Sequence, residues 1–285
     1  MRARVLLAVA CLASIASIAS TQTCPDPATW TQKGSYSYGT QEYEYHGREG
    51  CVNADGSRVA VLDRINGVMV YDYVGSDYVL RDTSGVSQQV FDRLYGHRLL
   101  CSDDLSVVIQ VDTRSSHPNY ANNNWFTRYS ISAAGIITST YSSTYNFGSS
   151  AYLQGNRQSS YDLSCDGVYL AVGTGRLTSA GISPAVLVLK WDGSSYNLHG
   201  SMISVANLNV QISCDGNTLA IFMHALSEID IYTYSGNSYT KDHTLSIPNS
   251  PASASRSAYA VGMADSGDVI AVTDYDGTDF KGNVH

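Results

Sequence analysis

The chain predicts an all-β fold: a β-propeller of four-stranded blades, about five of them visible and the last incomplete. Three observations carry this. An Asp-Gly phrase returns at near-constant spacing, each return opens onto alternating apolar and polar residues, and no stretch beyond the N-terminal segment has helical periodicity. The phrase reads NADGSRVAVL around Asp55, SDDLSVVIQV around Asp104, SCDGVYLAV around Asp166, SCDGNTLAI around Asp215 and ADSGDVIAV around Ser266. The separations are 49, 62, 49 and 51 residues, close to the ~40–50 that a four-stranded blade takes.

Taken in order, the chain begins MRARVLLAVACLASIASIAS. Arg2 and Arg4 precede an apolar run, and small residues follow. That is the layout of a secretory signal cleaved near Ser17-Ile18-Ala19, with a lipid anchor at Cys11 as the lesser alternative. Residues 1–19 are therefore read as the signal, and 20–285 as a single propeller domain of a secreted, extracellular protein. The run is too short to span a bilayer and no later segment is long and apolar enough, so no transmembrane segment is expected in the mature chain.

Each unit repeats one plan. A strand leads into the Asp-Gly turn, where glycine tolerates positive φ. The second strand follows at Val59–Leu62, Leu170–Gly173, Leu219–Met223 and Val269–Thr273. An alternating third strand is expected at Gly67–Tyr73, Ala185–Trp191 and Glu228–Tyr234. A glycine turn then opens an outer strand in GSDYVL, GSSYNL and GNSYTK. The last unit stops at Gly282–His285, inside a strand, and Ala28–Ser37 reads as an outer strand. The first reading of these ends is a truncated piece of a larger propeller. The second is a five-bladed ring whose N-terminal strand completes the last blade, which would remove an open edge.

These units resemble FG-GAP repeats, the blades of integrin-α-like extracellular propellers, and more loosely WD-repeat blades. His46-Gly47 and Tyr95-Gly96 precede Asp55 and Asp104 where the family has Phe-Gly, and LAVGTG (Leu170–Gly175) looks like its GAP segment. The later units lack the Phe-Gly-like pair, and no unit has Gly-Ala-Pro. The resemblance implies an extracellular recognition role. It also implies calcium, since the family often carries Asp-rich loops. TDYDGTDF places Asp274, Asp276 and Asp279 around Gly277, and alternating carboxylates converge readily on a hard cation. The alternative is an acidic hairpin loop. No other cofactor is expected.

A net charge of -8, 15% charged residues and no Lys/Arg run argue against nucleic acid. With Cys11 in the signal, the remaining cysteines are odd in number. Cys24 and Cys51 are the candidate disulfide, joining the N-terminal strand to the first unit. Cys165 and Cys214 hold the same place in successive units. That separation is expected to exceed the reach of a disulfide, so they read as buried small apolar side chains.

The most individual segment is the insertion His117–Phe126. His117, Asn119, Tyr120, Asn122, Asn123, Asn124 and Trp125 are its candidate ligand-binding residues, because amides bond hydroxyls and aromatic faces stack on sugars or peptides. The alternative is a polar loop, with Trp125 already on the next strand and turned inward. Enzyme signatures are missing: the Asp-Gly pair is not the Asp-box of sialidase-type propellers, and no Gly-x-Ser-x-Gly or His-Glu-x-x-His occurs. The expected role is a non-catalytic binding module for a protein or glycan at the loop surface. The alternatives are a secreted propeller hydrolase or lyase with a central-channel active site, and a structural subunit of an extracellular coat or filament.

Overall fold

The computed structural model describes residues 50–63, 66–85, 97–112, 124–145, 160–173, 185–205, 209–223, 228–246, 261–276 and 281–284. Every regular element among them is a strand. No helix among the described residues is long and apolar enough to cross a membrane. The chain divides into two compact units, Thr21–Gly155 with Cys165–Gly167, and Met1–Ser20 with Asn156–Ser164 and Val168–His285.

The first unit holds two four-stranded antiparallel meanders. One is β1 (Gly50–Val52), β2 (Arg58–Asp63), β3 (Gly67–Val74) and β4 (Asp77–Thr83); the other is β5 (His97–Cys101), β6 (Val107–Asp112), β7 (Asn124–Ile131) and β8 (Ile137–Tyr145). Strand β1 lies against β5, so the leading strands of successive meanders are neighbours. Arg58 ties the two sheets further along. It pairs with Asp72 at 2.7 Å and donates to the carbonyls of Ser132 and Ala133 at 3.0 and 2.8 Å. The Arg58 guanidinium in turn holds the Asp72 carboxyl below the usual range.

The second unit repeats the plan. Its sheets are β9 (Ser160–Leu163), β10 (Tyr169–Gly173), β11 (Ala185–Trp191), β12 (Tyr196–Leu198) and β13 (Ile203–Ser204); then β14 (Asn209–Ile212), β15 (Thr218–Met223), β16 (Glu228–Ser235) and β17 (Ser238–Ser246); then β18 (Val261–Met263), β19 (Ile270–Asp276) and β20 (Lys281–Val284). Leading strands again adjoin, β9 with β14 and β14 with β18. The expected second strands lie on β2, β10, β15 and β19 and the expected third strands on β3, β11 and β16, except that Val269 falls just before β19.

The core sits between sheets, and this explains the apolar runs. In β15, TLAIFM, Leu219 and Ile221 join Ala171, Val186 and Val188 of the preceding sheet. The alternate residues Ala220 and Phe222 join Met263 of the following one. A strand covered on both faces needs apolar side chains at every position, not every second one. Each fully buried Leu or Ile contributes about 1.5–3 kcal/mol.

The repeated phrase is the hairpin turn joining the first two strands of a sheet. The Asp215 carboxylate accepts the Asn217 amide at 2.9 Å and the Ser213 hydroxyl at 2.7 Å. Asp104 does the same with Ser106 and Ser102, each at 2.8 Å. Short Asx-type bonds of this kind fix a turn locally. Gly56, Gly167, Gly216 and Gly267 close these turns with φ of 70, 71, 72 and 76°. In the unit that lacks the glycine, Leu105 takes φ 55° and is fully buried.

Two expectations about cysteine are corrected. Cys51 is bonded to Cys101, with Cα atoms 6.2 Å apart, and not to Cys24, which lies outside the described residues. Cys165 and Cys214 are also disulfide-bonded, and half-buried rather than buried. The expectation failed because turns of adjacent sheets interlock. The Ala54 amide donates to the Asp103 carbonyl at 3.0 Å, Asp103 to Cys165 at 2.8 Å, and Cys214 to Asp265 at 2.8 Å. Equivalent positions are thus one hydrogen bond apart, within reach of a disulfide.

Candidate functional site

Of the insertion residues, His117, Asn119, Tyr120, Asn122 and Asn123 lie outside the described residues. Asn124 and Trp125 open β7, where Trp125 stands opposite Asp112 and Thr144 in register. Of the acidic set, Asp274 and Asp276 lie on β19, opposite Asn283 and Lys281 of β20. Two residues apart on a strand, they share one face. Asp279 lies outside the described residues.

A different cluster is fully placed. The third and fourth strands of three sheets share a pattern: an aromatic residue, a glycine turn, then a tyrosine. It occurs at Tyr73 and Tyr78, Trp191 and Tyr196, and Tyr234 and Tyr239, with ring centres 5.1 Å apart each time. The tyrosine hydroxyl is a structural tie. Tyr78 donates to the Gly56 carbonyl at 2.9 Å and Tyr239 to Gly216 at 2.5 Å.

In the second unit this pair is extended by a residue outside the repeat. His199 follows β12, and its amide donates to the Val188 carbonyl at 2.7 Å. Its ring stacks on Tyr234 at 4.0 Å and 25°, and lies 5.2 Å from Tyr169 and 6.1 Å from Tyr239. Gly200, at φ 83°, lets the chain turn close to the Tyr234 ring, which a Cβ there would meet at 3.2 Å. Lys190 is exposed and sits 5.2 Å from the centre of the Tyr169 ring.

Tyr169, His199 and Tyr234 are half-buried; Asn217, whose carbonyl accepts the Tyr234 amide at 2.8 Å, and Asn237, whose carbonyl lies 3.5 Å from where a Gly200 Cβ would stand, are exposed. Burial, aided by the Lys190 charge, pushes the His199 pKa down. The imidazole is therefore neutral at pH 7, with one nitrogen donating and one accepting. Aromatic faces, a neutral imidazole, amides and one ammonium can stack on a ring and bond its hydroxyls. The sequence carried a signal for this site in the aromatic-x-Gly-x-x-Tyr spacing, but His199 stood alone in it.

One further group is unusual. Asp162 on β9 is half-buried, and its carboxylate accepts the Ile212 amide of β14 at 2.7 Å. Burial pushes its carboxyl up to about 7, and the Asp265 charge adds to this.

No protein-family model matches the chain. No curated protein matches it in sequence. Solved structures resemble it in shape. KlAtg21, solved with the coiled-coil of AgAtg16, has 14% identity and a TM-score of 0.50, over 82% of this chain and 69% of that one. Hydrazine synthase of Kuenenia stuttgartiensis has 13% identity and a TM-score of 0.48, over 83% and 70%. A protein from Lactobacillus plantarum has 15% identity and a TM-score of 0.48, over 83% and 69%. Such likeness concerns the fold alone, and the chain is an all-β, β-propeller-like protein of antiparallel, mostly four-stranded sheets.

Proposed function

We propose that this chain is a secreted, non-catalytic interaction module with FG-GAP-like blades, and that its partner is a glycan. The observation that supports this most is the half-buried Tyr169, His199 and Tyr234 cluster, with Lys190 exposed beside it. It supplies aromatic faces with convergent polar groups, the chemistry of a sugar site. A protein surface rich in hydroxyls and amides would fit the same groups less specifically. The disulfide-bonded Cys51, Cys101, Cys165 and Cys214 support export, because oxidising compartments preserve such bonds. The test is a screen of the full secreted chain against immobilised glycans. Retention of at least one glycan class is expected, and retention of none, with turnover of an oligosaccharide instead, contradicts the reading.

The turn between β19 and β20 is proposed to bind calcium through Asp274, Asp276 and Asp279. Asp274 and Asp276 stand two residues apart on β19, a spacing that fits a common cation. Calcium should release heat on titration into the chain and none into Asp276→Ala. No heat from the unmutated chain excludes the site.

A further inference from the structure

Two contacts recur where one sheet packs on the next. In the first, the residue three places after a turn aspartate covers the turn glycine of the following sheet. A Cβ on Gly167 would meet Val107 at 2.7 Å, one on Gly216 the Tyr169 ring at 2.6 Å, and one on Gly267 Thr218 at 2.8 Å. In the second, the residue three places before the turn packs on the preceding sheet. Ile212 joins Ala171 and Val188 in this way, and Met263 joins Ala220 and Phe222. Each sheet thus has a rear face for the sheet before it and a forward face for the sheet after it.

Two such faces stand open. On the rear face of the β1–β4 sheet, Val52 holds the place of Ile212 and Met263, three before Asp55, yet it is 43% exposed. Among the described residues, nothing lies within 4 Å of where a Gly56 Cβ would stand. On the forward face of the β18–β20 sheet, Val269 holds the place of Val107, Tyr169 and Thr218, three after Ser266, yet it is 53% exposed. Gly262 on β18 holds the place of Cys51, which is bonded to the following sheet through Cys101. A Cβ on Gly262 would also meet no described residue within 4 Å.

We propose that the forward face of the β18–β20 sheet docks on the rear face of the β1–β4 sheet of a second copy of this chain. Each face lacks what the other is. Val269 occupies the position that covers a following turn glycine, and Gly56, at φ 70°, is such a glycine. Val52 occupies the position that packs on a preceding sheet. The pairing continues the packing already used between sheets inside the chain, and it takes two exposed valines out of water. Within one copy both valines are exposed, so a second copy supplies the cover. Two different surfaces meet, which makes the contact heterologous. It leaves one open face on each partner and so repeats head to tail. None of this rests on the glycan reading.

The experiment measures the oligomeric state of the full secreted chain by light scattering over a dilution series. Val52→Glu and Val269→Glu are measured alone and mixed. The parent should be a dimer or larger and should dissociate on dilution. Each variant alone should associate at least about tenfold more weakly, because a buried carboxylate would oppose the contact. Each variant also keeps one sound face, so mixing the two should restore a dimer that grows no further. A monomeric parent overturns the proposal. So does association that persists in either variant alone, or a mixture that stays monomeric. If Val52→Glu does not fold, Gly56→Asp replaces it, since Asp is among the residues that enter the left-handed region most readily.

Discussion

The Tyr239 hydroxyl donates to the Gly216 carbonyl at 2.5 Å, joining the outer strand of a sheet to the turn of its innermost hairpin. Tyr78 and Gly56 repeat the relationship at 2.9 Å in another sheet. Each bond spans the sheet and so fixes where its first turn stands. Burial also pushes the Tyr239 pKa well up, which keeps the hydroxyl protonated and donating. Tyr239→Phe should cost about 1 kcal/mol, the usual net worth of one buried hydrogen bond, with the ring packing kept. Tyr78→Phe should cost a similar or smaller amount. Denaturant unfolding of both variants checks this.

The turn glycines should differ sharply in tolerance. At Gly216 an added Cβ would meet the Tyr169 ring at 2.6 Å, whereas at Gly56 nothing lies within 4 Å. Gly56→Ala should therefore cost only the left-handed strain, about 1–2 kcal/mol. Gly216→Ala should cost several kcal/mol, because the strain adds to a clash with a packed ring. Leu105→Gly tests the balance in the other direction. It relieves the same strain but empties a fully buried site, worth about 2.7–5 kcal/mol for Leu→Ala, so the variant should be less stable than the parent. A more stable Leu105→Gly would show that the side chain is poorly packed there.

The repeat itself was legible because turn chemistry is local. Asp, Gly and the preceding Ser bond to their own backbone, so the phrase carries its geometry wherever it falls. The second and third strands were legible through their apolar runs. Inter-sheet relationships were not. Nothing in the spacing of Cys51 and Cys101, offset by one place within their units, announces that leading strands adjoin. Sequence reasoning placed equivalent turns too far apart, and the Ala54–Asp103 hydrogen bond at 3.0 Å shows them adjacent. His199 was invisible for a related reason. A lone histidine acquires meaning only when Tyr169 and Tyr234, from different sheets, are brought within ring contact of it.

The Cys51–Cys101 bond should stabilise by about 2–4 kcal/mol through the long loop that it closes. Cys51→Ala, Cys101→Ala and the double variant should all melt at the same lower temperature, since any of them removes the one bond. Reductant should lower the parent's melting temperature further than that of the double variant. Additive losses in the double variant would mean that the two side chains act separately.

If the Tyr169, His199 and Tyr234 cluster faces a glycan, the affinity of Lys190→Ala/His199→Ala for the glycan class that the parent retains decides it, measured beside the parent. The double variant loses the His199 ring contacts and should melt lower, by about 1–3 kcal/mol, while staying folded, so its binding is read below its own melting transition. Binding by the double variant should be at least about tenfold weaker, a loss of about 1.4 kcal/mol. Equal affinity in a folded double variant would contradict it and place the binding surface elsewhere on the chain.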